Sequence, residues 1–253
     1  MIRSVTSSTS TRGIAAIVGV GPNLGRSIAR KFAHEGYTVA ILARDLGRLS
    51  RFADEIARET KVQVYAIPID CSEAQSVRDA FEGVLSLGFV EVLVYNAYQP
   101  IPWQYGGPSS FTNLRHDSFQ KSLAVSSVGA FHCAQQVLPG MVERGRGTIL
   151  FTGCAASLSG CGKFALRGLS QCLAKEFHPL GVHIAHVIID GIIGASRALM
   201  MPQRSLVGEQ QRAGGDGSMD PDSVAQTYWY LHMQPRAAWT QEIDIRSPNP
   251  RFV

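Results

Sequence analysis

The chain has no apolar run of the roughly 18 residues that a membrane-crossing helix needs, and no apolar signal core near its N-terminus. A soluble protein without a membrane span is expected. No block of five like charges occurs, and the formal net charge is only +4, which argues against a nucleic-acid or membrane-surface partner. Cysteine is scarce and odd in number: Cys71, Cys133, Cys154, Cys161 and Cys172, with no Cys-x-x-Cys pair. Such usage argues against a disulfide framework and against zinc-type spacing, and points to a reduced, cytoplasmic setting. Tyrosine is missing from one long stretch, since none stands between Tyr105 and Tyr228.

What is present is the pattern of a covered parallel sheet. Over 253 residues with 45% apolar and 17% charged side chains, strand-like runs alternate with helical ones, as expected where both faces of a sheet are covered. Strands are predicted at Ile14–Val18, Thr38–Leu42, Val62–Ile69, Val90–Tyr95, Thr148–Thr152, His183–Ile189 and Glu242–Ile245. Helices fall between them, including one near Asp117–Glu143 and one over Phe164–Phe177. Asp220-Pro221 supplies a capping residue followed by proline at the first helical position. No linker divides the chain, so the expectation is one doubly wound, Rossmann-like α/β domain over residues 13–253, with a parallel sheet of about seven strands. Residues 1–12 read as a frayed tail; their Ser/Thr/Arg-rich, acid-free composition leaves organelle targeting as the alternative.

The chemistry-bearing positions sit where strands end. The first strand runs into Gly19-Val20-Gly21-Pro22-Asn23-Leu24-Gly25, a turn that lets a pyrophosphate approach the amide groups at a helix N-terminus. Asparagine tolerates positive φ better than most residues, so Asn23 is compatible with a tight turn. Arg44 ends the second strand, where a guanidinium can pair with the 2′-phosphate of NADP(H); Asp45, one place on, keeps NAD(H) open. Asp70 follows the third strand and Asn96 the fourth. His183 and His186, three apart on a strand, face opposite sides and do not form a metal pair.

In this order, on these elements, the motifs resemble those of the short-chain dehydrogenase/reductase family, from about Gly13 to Gly194, with Pro221–Ile245 fitting its last helix and strand. The resemblance implies that Gly19, Gly21, Asn23, Leu24, Gly25, Arg44, Asp70, Asn96 and Lys163 bind NADP(H). Val18 and Asn23 replace the Thr and the middle Gly of the family's Thr-Gly-x-x-x-Gly-x-Gly, and Tyr98 replaces the last Gly of Asn-Asn-Ala-Gly. It also implies a carbonyl or alcohol substrate and a homodimer or homotetramer built on the helices flanking the fifth strand. Leu166, Leu169, Leu173 and Phe177 give the later helix an apolar stripe. That stripe reads either as a partner surface or as cover for the chain's own sheet.

The family's catalytic group departs. Ser126 stands in place of its Asn, Cys154 in place of its Ser, and Ser159 in place of the Tyr four residues before Lys163; only the lysine is kept. Cys154 and Lys163 are nine residues apart, an interval several residues shorter than the family's. The expectation is an oxidoreductase with impaired or atypical catalysis, in which Tyr95, Tyr98 or Tyr105 could reach the pocket instead. The competing reading is a non-catalytic dinucleotide-binding or interaction protein. Residues 195–219 read as a substrate lid.

Overall fold

The structure, a computed structural model, describes residues 12–99, 114–155, 161–194 and 218–247. Their strands are β1 (Ile14–Val18), β2 (Thr38–Ala43), β3 (Val64–Pro68), β4 (Val90–Tyr95), β5 (Gly147–Cys154), β6 (Val182–Asp190) and β7 (Glu242–Arg246). All neighbouring pairs are parallel, in the order β3-β2-β1-β4-β5-β6-β7. Going from β1 to β2 to β3 the chain winds one way, and from β4 onward it winds the other. A crevice therefore opens at the carboxyl ends of β1 and β4, where Val18 pairs with Tyr95, the place where open α/β sheets bind ligands.

Helices α1 (Leu24–His34), α2 (Leu46–Thr60) and α7 (Pro221–His232) cover one face; α3 (Ala74–Ser86), α5 (Gly129–Glu143) and α6 (Cys161–Phe177) cover the other, with α4 (His116–Leu123) leading into α5. Strand alternation divides the core accordingly. Ala16, Val18, Leu93, Ile149 and Phe151 point to the α3, α5 and α6 side, while Ala15, Ile17, Val92, Val94 and Leu150 point to the other. On α1, Ile28, Ala29, Phe32 and Ala33 are buried at helical spacing, and burying each large apolar side chain contributes about 1.5–3 kcal/mol. Asp220 caps α7 through its side chain, which accepts from the Ser223 amide at 3.2 Å, with Pro221 opening the helix.

Several elements differ in extent from their sequence prediction, the fifth strand running on to Cys154. The third strand is shorter and the sixth helix begins earlier, at Cys161. The helix expected over Asp117–Glu143 is interrupted by a π-helical turn at Ala124–Val128. Two tertiary bonds hold that turn: Tyr95 donates from its hydroxyl to the Val125 carbonyl, and Ser127 Oγ donates to the Gly162 carbonyl at 2.6 Å. The tail lies outside the described residues except for Arg12, whose guanidinium sits 5.3 Å from the centre of the Tyr37 ring.

Candidate active site

At the carboxyl end of β1 the chain turns within the crevice. Gly19 has φ +85, and a Cβ there would stand 2.3 Å from the Ala97 amide nitrogen, so the β1 and β4 ends approach closely only because that side chain is absent. Asn96 Nδ2 donates to the Gly19 carbonyl at 2.9 Å, and the Asn96 amide donates to the Val18 carbonyl at 2.8 Å. Gly21 faces open space, and Leu24-Gly25 begin α1. Asn23 does not use the left-handed backbone that asparagine tolerates. Its φ is −100 and it precedes α1 without a capping bond, reaching instead to the Ile193 carbonyl at 3.5 Å. Gly19 alone supplies the positive φ of this turn.

Beyond β2 and β3, Arg44, Ile69, Asp70, Ser76 and Asp79 line a cleft of about 620 Å³. Arg44 is exposed. Asp70 accepts from both the amide and the hydroxyl of Ser72, at 2.9 and 2.6 Å, and these bonds hold its carboxyl below the ordinary range. Asp45, the residue that would favour NAD(H), caps α2 by accepting from the Arg48 amide at 3.0 Å.

Lys163 lies in the first turn of α6 and is 6% exposed. Its Nζ donates to the Thr152 carbonyl at 2.6 Å and to the Ala97 carbonyl at 3.2 Å, which binds the ends of β4 and β5 together through one ammonium. Burial lowers its pKa to about 8, with the Cys154 and Cys71 thiols pulling the other way. Helix α6 can come this close because Gly162 has no side chain; a Cβ there would meet the Ser122 carbonyl at 2.7 Å and Ser126 Cβ at 2.8 Å. The structure thus brings Ser126 to the residue beside Lys163. Cys154 ends β5, and burial raises its thiol pKa. All five thiols are free.

Tyr98, one of three tyrosines that the sequence offers near the pocket, stands beside Lys163. Its ring centre lies 5.5 Å from Lys163 Nζ, and the residue is 58% exposed. Tyr95, by contrast, is fully buried on the π-turn. Ser127 rather than Ser126 makes the bond to α6, a distinction with no signal in sequence. His183 and His186 do lie on opposite faces: His183 stacks on Trp239 at 4.9 Å, while His186 Nδ1 is 3.1 Å from Glu242. No cluster of metal-binding side chains occurs among the described residues. Ser159, Tyr105 and the expected lid over residues 195–217 lie outside the described residues.

Fold and crevice define a doubly wound α/β domain whose ligand side is built from strand ends. The profile of the short chain dehydrogenase family matches residues 13–198, and the chain belongs to that family. It is 23% identical over 248 residues to an uncharacterized oxidoreductase of Staphylococcus aureus, covering 93% of this chain and 97% of that protein. It is 25% identical over 234 residues to carbonyl reductase family member 4 of Xenopus tropicalis, covering 88% and 92%. Among solved structures, a short-chain dehydrogenase of Rhodopseudomonas palustris superposes with a TM-score of 0.72 at 27% identity, over 92% of this chain and 98% of that one. A metagenomic short-chain oxidoreductase in complex with NADP superposes with a TM-score of 0.75 at 22% identity, over 94% and 97%.

Proposed function

We propose that the chain is an NADP(H)-dependent oxidoreductase interconverting a small carbonyl compound and its alcohol, with atypical and slow catalysis. The observation that carries the reading is the convergence of the open Gly21 turn, Asn96 and the buried Lys163 ammonium on the crevice at the ends of β1, β4 and β5. Residues Gly19 to Gly25 would hold the pyrophosphate against the N-terminus of α1, Asp70 the adenine, Arg44 the 2′-phosphate, and Lys163 the ribose next to the nicotinamide. Bound NADPH supplies hydride. The chain supplies the orientation of the ring, the positive charge at Lys163 and a proton for the carbonyl oxygen. NADP-bound relatives of the same fold support this choice of cofactor, as does the engagement of Asp45 in capping α2.

Fluorescence titration tests the cofactor reading. NADPH should bind more tightly than NADH, and Arg44→Asp should erase roughly 10- to 100-fold of that preference, as expected for a charge-assisted hydrogen bond of about 1.5–3 kcal/mol. Equal affinity for the two cofactors in the parent chain would refute the role of Arg44. A second reading, a non-catalytic dinucleotide-binding protein, is favoured by one observation: Lys163 is already committed to two main-chain carbonyls. Residues 13–253 are read as a single domain that self-associates through the helices flanking β5.

A further inference from the structure

We propose that Tyr98 is the proton donor and acceptor of this site, acting beside Lys163; the inference rests on the oxidoreductase reading above and assigns its missing acid. A carbonyl oxygen that gains hydride at its carbon needs an O–H within reach of bound substrate, and a fixed cation near the anion left after transfer. Among the described residues around Lys163, most hydroxyls are already engaged or enclosed. Thr152 Oγ1 and Tyr228 Oη are 2.7 Å apart in the core. Tyr95 is enclosed and bonded to the Val125 carbonyl. Ser126 is 1% exposed against Gly162. Cys154 is a weaker donor than a hydroxyl, and burial holds its proton on sulfur.

Tyr98 differs from all of these. It follows directly on Ala97, whose carbonyl holds Lys163 Nζ, so ammonium and phenol ring are brought together by one backbone joint at the carboxyl end of β4. The ring is 5.5 Å from the ammonium and open to the exterior, and its hydroxyl makes no hydrogen bond to a described residue. In the reducing direction hydride adds to the carbonyl carbon and the C=O π pair moves onto oxygen. That oxygen takes the proton from Tyr98 Oη, and solvent returns a proton to the phenolate. Lys163 remains an ammonium throughout and faces the charge on the ring. Oxidation runs the same steps in reverse.

The test has one arm without cofactor and one with it. Acetylation of Lys163 by N-hydroxysuccinimidyl acetate at pH 8, followed by peptide mass spectrometry, reads whether the Tyr98 ring shields the ammonium. The rate should match the parent in Tyr98→Phe and rise several-fold in Tyr98→Ala; an unchanged rate in Tyr98→Ala overturns the pairing. In the second arm, NADPH affinity and NADPH-dependent reduction of 4-nitrobenzaldehyde are measured on the same samples. Tyr98→Phe should keep the parent's affinity and lose turnover by roughly 10²–10⁴-fold. Equal turnover in Tyr98→Phe, or a parent that binds NADPH and reduces nothing, overturns the role of Tyr98 while the cofactor reading stands. A parent that does not bind NADPH removes both.

Discussion

At the scale of single residues, position in the fold decides what a side chain does more than its identity does. His232, on the last turn of α7, is an example: its Nε2 is 2.7 Å from Tyr37 Oη and its Nδ1 is 2.9 Å from Thr148 Oγ1, so one neutral ring joins α7 to the starts of β2 and β5. Burial pushes its pKa down to about 4, with His183 and Arg12 adding in the same direction. The unfolded chain takes up a proton at this residue near pH 6.5 and the folded chain only near 4. Its contribution is therefore whole above about pH 6.5 and is lost as pH falls toward 4, a change of up to about 3 kcal/mol. Thermal melts between pH 7 and 4 should show a steep decline in Tm that is blunted in His232→Gln. An identical pH dependence in the variant would show that the ring does not titrate this way. His183 and His186, whose pKa values are also lowered by burial, should leave a smaller decline of the same sign in that variant.

At the scale of elements, helix α6 carries an internal comparison. Replacing glycine by alanine within a helix normally stabilises by about 0.5–1 kcal/mol. At Gly168, where an added Cβ meets nothing within 4 Å, Gly168→Ala should do that. Gly162→Ala should have the opposite sign, because the new methyl would press on the Ser122 carbonyl and on Ser126, at 2.7 and 2.8 Å; a loss of about 1–3 kcal/mol is expected. Urea unfolding of the two variants checks the pair, and a stabilised Gly162→Ala would contradict the tight approach of α6 to the π-turn. The same region shows what the sequence could convey. Strand alternation and helical spacing placed all seven strands, and Asp220-Pro221 marked the start of α7, because those signals are local. The π-turn left no trace in periodicity, since Tyr95 from β4 and Ser127 reaching α6 hold it from afar. The candidate site was legible in its frame, Gly19, Asn96 and Lys163, but not in its detail: the backbone of Asn23, the Lys163 contacts and the nearness of Tyr98 all depend on how separate strand ends meet.

At the scale of the whole molecule, the two readings of the α6 stripe can be separated. Leu166 is fully buried, and Leu169, Leu173 and Phe177 pack against the same core, so the stripe covers the chain's own sheet, as any crossover helix must. A surface for a second copy has to come from other side chains. Two large apolar residues stand exposed one helical turn apart, Val128 at the end of the π-turn and Phe131 on α5, and Phe164 is exposed on the first turn of α6. Both helices flank β5, and a twofold axis beside them would let each apolar group meet its copy, the simplest closed assembly. Sedimentation equilibrium at micromolar concentration should then report a dimer or tetramer. Phe131→Glu should shift it to monomer, because a buried unpaired carboxylate would oppose its own copy across the axis, while Leu180→Glu, at an exposed position in the turn between α6 and β6, should leave the assembly intact. A monomeric parent chain, or a Phe131→Glu variant that associates as the parent does, would count against this face.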